Sequence, residues 1–188
     1  MVAHSFQSLA LPTLFTISMT LFPMAAWASD AAVGSSPPEI TLTGDLGSRV
    51  SGEDWSSSEL KDKVHVLFYV SPDKSDVNDA FTEALRDAAF DRDVFGSVAV
   101  INMAASRMPN FAINMALRSR QREFPNTIYV RDFKSVLVNE WGLADNESVV
   151  VIFAPDGKII FRKDGQLDES EIASAIATIG THLPGSAN

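Results

Sequence analysis

The chain has 188 residues, 46% hydrophobic and 21% charged, which fits one folded domain and is too apolar for a disordered chain. Its 24 acidic and 15 basic residues leave a net charge of −9, which repels phosphate backbones and argues against nucleic acid as a partner. There is no cysteine, which excludes disulfides, thiol catalysis and Cys–His zinc sites, so the core must hold without staples.

Residues 1–28 contain no Lys, Arg, Asp or Glu. An apolar run from Leu9 to Phe22 is followed by Ala26-Trp27-Ala28 and then Ser29-Asp30. Small residues at positions −3 and −1 suit signal peptidase, so 1–28 is expected to be an export signal cleaved after Ala28, placing the mature chain in the periplasm. The competing reading is an uncleaved anchor. Pro12 and Pro23 interrupt the run and leave too short a span for it, so no integral membrane span is expected after cleavage. Residues 29–38, "SDAAVGSSPP", are small and turn-rich and read as a flexible leader. One domain is expected over 39–181, and a flexible tail over 182–188.

"EITLTG" at Glu39–Gly44 alternates as a short strand, and Trp55 is the one large apolar residue of the turn-rich connection after it, expected to plug the edge of the core. Val64–Val70, "VHVLFYV", is apolar throughout and reads as a central strand buried on both faces. The run breaks at Ser71-Pro72. Val77, Ala80, Phe81, Ala84, Leu85 and Ala88 then form one helical stripe, with Asp73 or Ser75 as cap and Asp76 and Asp79 suited to the positive end of the dipole.

"SVAVINM" at Ser97–Met103 predicts a second buried strand. Phe111, Ile113 and Met115 begin another helix, which ends in the basic "LRSRQRE" and stops at Pro125. "TIYV" and "SVLVNEW" read as two short strands joined by a turn at Arg131–Lys134. "SVVVIFAPDGKIIFRKDG" is a hairpin around Pro155-Asp156-Gly157, and Asp168–Gly180 closes the domain with a helix striped by Ile172, Ile176 and Ile179. The order βαβα, then ββα, predicts an α/β thioredoxin-like sandwich, with a central mixed sheet flanked by helices and a terminal β-hairpin plus helix.

"DWSSSELKDKVHVLFYVSP" and, more closely, "WGLADNESVVVIFAPDGKIIFRKDGQLDESEI" resemble the YtfJ family over about Ile40 to Ile179. The most specific pieces are Trp141-Gly142-Leu143, the VVVI strand, Asp156-Gly157-Lys158 and Lys163-Asp164-Gly165. More distantly the same blocks resemble periplasmic TlpA-type thioredoxins and peroxiredoxins. The resemblance implies an exported thioredoxin-like domain. It also brings a transcriptional-regulator label, against which the export signal and acidic balance both argue.

In redox thioredoxins two cysteines three apart follow the central strand. Here the matching positions hold Asp73 and Asp76, which can use the helix dipole but cannot exchange disulfides. The position of the substrate-clamping cis-proline falls near Ser148 or Val149. Redox catalysis is thus excluded, and the expected role is a non-catalytic protein- or peptide-binding module facing an envelope protein or peptide. Its surface is expected to comprise Ser71, Pro72, Asp73, Asp76, Ser148 and Val149. No catalytic residue, cofactor or metal is assigned.

The alternative is a non-redox enzyme, metal-assisted through Asp73, Asp76 and Asp79. Acids in a first helical turn are ordinary, however, and no calcium-loop pattern accompanies them. Gly44 and Gly47 lack the spacing of a phosphate loop. His65 is expected to pack in the core, and His182 to sit in a polar tail. Arg118-Ser119-Arg120-Gln121-Arg122 reads as cations complementing a helix end, or as a patch for an acidic partner or anionic headgroup.

Overall fold

The computed structural model describes residues 31–185 together with Met1, so the export signal expected over 1–28 lies outside the described residues. The elements are β1 (Thr41–Leu42), β2 (Gly47–Arg49), β3 (Trp55–Ser56), β4 (Val64–Val70), α1 (Asp79–Ala88), β5 (Phe95–Asn102), α2 (Asn110–Glu123), β6 (Thr127–Asp132), α3 (Val136–Trp141), β7 (Ser148–Phe153), β8 (Ile159–Asp164) and α4 (Glu169–His182). Six strands form one mixed sheet in the order β2-β6-β5-β4-β7-β8, and β1 pairs with β3 in a separate ladder.

β4, β5 and β6 run parallel, whereas β7, β8 and β2 are antiparallel to their neighbours. The two parallel steps, β4 to β5 and β5 to β6, move in the same direction across the sheet. Right-handed crossovers that step the same way place their helices on the same face, and α1 and α2 both lie there. On that face Phe81 and Leu85 of α1 pack with Ala175 and Ile179 of α4 over Val64, Val66, Val150 and Ile152. Beside them Ile113 and Leu117 of α2 cover Ala99, Ile101 and Tyr129. The opposite face is closed by α3, the β1–β3 ladder and the chain before β1, around Leu67, Val98, Val130 and Val151. Trp55 is fully buried in that layer.

Four sequence expectations change. "SVLVNEW" is not a strand but contains α3. Its β-branched residues favour a strand locally, yet the buried Asp132 carboxylate at the end of β6 accepts from the amides of Lys134 (3.1 Å), Val136 (2.9 Å) and Leu137 (3.1 Å), capping a helix there. Residues 31–38, expected to be a loose leader, lie against the sheet. Ala31 N–H donates to the Trp141 carbonyl (3.0 Å), Gly34 N–H to that of Ile159 (2.7 Å), and the Trp141 indole to that of Pro38 (2.8 Å).

Of the three apolar residues expected to begin α2, only Ile113 is buried. Ile113 and Leu117 face inward, while Phe111 and Met115 are 70% and 69% exposed. Lastly, His182 belongs to the last turn of α4, its Nδ1 lying 2.8 Å from the Thr178 carbonyl.

His65 is buried in β4, its Nδ1 3.2 Å from the Lys63 carbonyl. A Cβ on Gly96 would lie 2.5 Å from its ring, so a side chain there has no room. Burial lowers the His65 pKa below 6.5, with a smaller opposing pull from the carbonyls of Lys63 and Leu60. The unfolded chain therefore takes up the proton first. Stability is full above the unfolded pKa and falls as pH drops through it toward the folded value. The urea midpoint should be lower at about pH 5.5 than at about pH 7.5, and His65→Gln should flatten that difference. An equal slope in the variant would assign it to other groups.

Candidate functional site

Parallel strands bring their C-terminal ends to one edge, and the residues expected to form the site gather there. Tyr69 pairs with Val149 and Val70 with Ser148, so the loop after β4 and the start of β7 are neighbours. Ser71 N–H donates to the Glu147 carbonyl at 2.9 Å, tying the two loops together. Pro72–Lys74 form one 3-10 turn, and α1 begins only at Asp79.

Neither Asp73 nor Ser75 is the helix cap. Asp73 accepts a hydrogen bond from the Ser106 hydroxyl (3.2 Å), which directs its carboxylate toward the loop before α2. Asp76 is exposed. Among the described residues no group of three or more His, Asp or Glu side chains is gathered to hold a metal ion, so Asp73, Asp76 and Asp79 share no cage. Val149 lies beside the others in the chain, but its side chain is buried in the core of the opposite face.

The residue that organises this edge is Asn78, which occupies the α1 cap position without capping it. Its Nδ2 donates to Ser148 Oγ (3.0 Å) and to the Gly165 carbonyl (3.1 Å), while its Oδ1 accepts from Leu167 N–H (3.0 Å). One buried amide thus joins α1, β7 and the β8–α4 loop. Gly165 makes this reachable, because its φ of +88° turns the chain out of β8 in a conformation that side chains disfavour. The sequence carried little sign of Asn78, since an asparagine ahead of a helix reads as an ordinary turn residue.

A second polar cluster lies at the same edge on the opposite face. The Tyr69 hydroxyl donates to Asp132 Oδ2 (3.1 Å), and burial followed by the Asp132 charge raises the phenol far above its usual range. Asn102, fully buried, donates to Asp145 Oδ1 (2.8 Å) and accepts from the Ser135 hydroxyl (3.0 Å). The Asp132 carboxylate is filled by donors from its own chain, which marks it as a brace for the loops and not a group poised for chemistry.

Between α1 and α2 the sheet is left partly uncovered. A cavity of about 370 Å³ opens there, floored by Phe68, Val70, Ala99, Ile101 and Tyr129. Pro72, Asn78 and Ser148 border it, Thr82 belongs to its α1 side and Ala116 to its α2 side. Arg120 also lines it, and Arg120 opposes the rise that burial imposes on the Tyr129 phenol, so the two polar ends are close. The arrangement is an apolar slot with a few polar groups, of the kind that holds a side chain and fixes its orientation.

The sequence profile of the family described as "Bacterial protein of unknown function (YtfJ_HI0045)" matches residues 32–182. The protein described as "Uncharacterized protein YtfJ" from Escherichia coli (strain K12) is 27% identical over 173 residues, covering 87% of this chain and 94% of its own. An uncharacterized protein from Haemophilus influenzae is 27% identical over 169 residues, covering 85% and 91%.

Among solved structures, the thioredoxin domain of a thiol-disulfide oxidoreductase from Bacteroides vulgatus superposes with a TM-score of 0.54 at 17% identity, covering 78% of this chain and 96% of that one. An exposed lipoprotein thioredoxin from Streptococcus pneumoniae gives 0.53 at 14% identity, covering 74% and 98%. These likenesses show a thioredoxin-like fold, on a chain that has no cysteine.

Proposed function

Because this chain belongs to the YtfJ family and carries a thioredoxin-like fold without cysteine, we propose that it is an exported, non-catalytic module that binds an extended protein segment in the groove between α1 and α2. The observation that carries this reading is the apolar slot of about 370 Å³ bordered by Pro72 and Ser148. Pro72 and Ser148 border it, and Ser71, Asp73 and Asp76 belong to the same loop as Pro72, the loop that the resemblance to redox thioredoxins singles out.

The occupant is a segment with a large apolar side chain, which the floor of Phe68, Val70 and Ile101 accepts. An acidic residue beside it meets Arg120 and the Tyr129 hydroxyl. Asp79 sits on the α1 side, so the acid is favoured toward α2. Among the described residues no helix is long and apolar enough to cross a membrane. Export is supported by the uncharged apolar start of the chain, and N-terminal sequencing of cell-envelope protein should begin at Ser29.

Ala116→Trp places an indole in the slot from a helix surface position, where it should leave the melting temperature nearly unchanged. Against a synthetic library of short peptides pairing an aromatic or aliphatic residue with an acidic one, the unaltered chain should select a subset. The variant should bind that subset at least about tenfold more weakly. Equal binding by a folded variant would remove the groove as the site.

A further inference from the structure

We propose that the outer face of α2 docks on an anionic lipid surface. At about 100° per residue, Phe111, Met115, Arg118 and Arg122 fall within an arc of about 60° on α2. Ile113 and Leu117, on the other side of the helix, are the residues buried against the sheet. The stripe therefore faces outward, with two large apolar side chains toward one end and two guanidinium groups toward the other.

The charge pattern chooses the surface. From Val94 to Arg122 the sequence contains no Asp or Glu, but it contains Arg107, Arg118, Arg120 and Arg122. Acids do border it: Glu123 at the end of α2 lies 3.8 Å from Arg120, and Asp73 is hydrogen-bonded to Ser106 ahead of the helix. The rest of the chain holds the acidic excess. An anionic surface would thus attract this face and repel the remainder, turning Phe111 and Met115 toward the headgroup boundary. Arg120 lines the groove on the inner side of α2, so docking and peptide binding use different sides of one helix, and either can fail alone.

The absence of cysteine gives a clean test. Met115→Cys and, as control, Glu83→Cys on the exposed side of α1 are each labelled in the full chain with a polarity-sensitive fluorophore. Vesicles are of phosphatidylcholine alone, or with one third replaced by phosphatidylglycerol. The label at 115 should shift to shorter wavelength only with the anionic vesicles, the shift should fade as salt is raised, and the label at 83 should not respond. Adding R118E and R122E, both at exposed positions, should raise the lipid needed at least about thirtyfold without changing the melting temperature. The proposal is overturned by silence at 115, by an equal response at 83, or by charge reversal that leaves binding intact. It is likewise overturned if acidic peptides move the label at 115 and vesicles do not, since the face would then belong to a protein partner.

Discussion

Replacing Asp132 by Ala should cost about 4 kcal/mol of unfolding free energy, although the residue is polar and ends β6 outside the apolar clusters. Its buried carboxylate receives three backbone amides and the Tyr69 hydroxyl, the bonds from Tyr69 and Leu137 fully buried and those from Lys134 and Val136 partly so. Removing the acceptor strands these donors together, and each buried unpaired donor costs about 1–3 kcal/mol unless the loop opens to water. Opening is the cheaper course, so α3 should fray first. Amide exchange at Val136 and Leu137 should quicken more than exchange in β4 and β5. Asp132→Asn keeps one oxygen and should lose roughly half as much. Urea unfolding checks the ordering; a loss below about 1 kcal/mol for the alanine would mean that α3 stands without its brace.

Trp141→Ala is the second large effect, expected at about 3–5 kcal/mol. The indole is buried at the end of α3, its ring 5.9 Å from that of Phe153, and its N–H donates to the Pro38 carbonyl. Its loss leaves a cavity in the core of the α3 face and cuts one of the ties holding residues 31–38. The variant should therefore be cleaved within 31–38 by low levels of a nonspecific protease under conditions in which the unaltered chain resists. Equal protection would show that the ties through Gly34 and Ile159 suffice.

What the sequence made legible follows the physics of burial. β4, β5 and the β7–β8 hairpin stood out because runs apolar on both faces or closed by Pro-Asp-Gly have few other structures to adopt. α1 stood out because its apolar stripe has one period. α3 did not, since the acceptor that makes it a helix sits on the preceding strand and its effect is invisible to local propensity. The start of α2 is legible from Phe111, Ile113 and Met115, of which the sheet selects Ile113, with Leu117; a helix with apolar residues on two sides does not announce which one is inward.

The geometry of the candidate site was legible in part. The loops of Ser71–Asp76 and Ser148 meet as the strand order requires, but Val149 points into the other core and Asp73 turns to Ser106. The groove itself was hidden. It depends on how far apart two helices settle on one sheet face, and on small residues such as Ala99 and Ala116 that leave space instead of filling it.

On a thioredoxin-like fold without cysteine, the proposed segment-binding slot between α1 and α2 stands beside the loop after β4. The direct measurement is amide NMR of the labelled chain titrated with peptides selected from the apolar–acidic library. Saturable shifts are expected, concentrated at Thr82, Ala99, Ala116 and Ser148 and absent in Ala116→Trp. Shifts that leave those four amides still, or selected peptides that move only residues of the α3 face, would contradict binding in that slot.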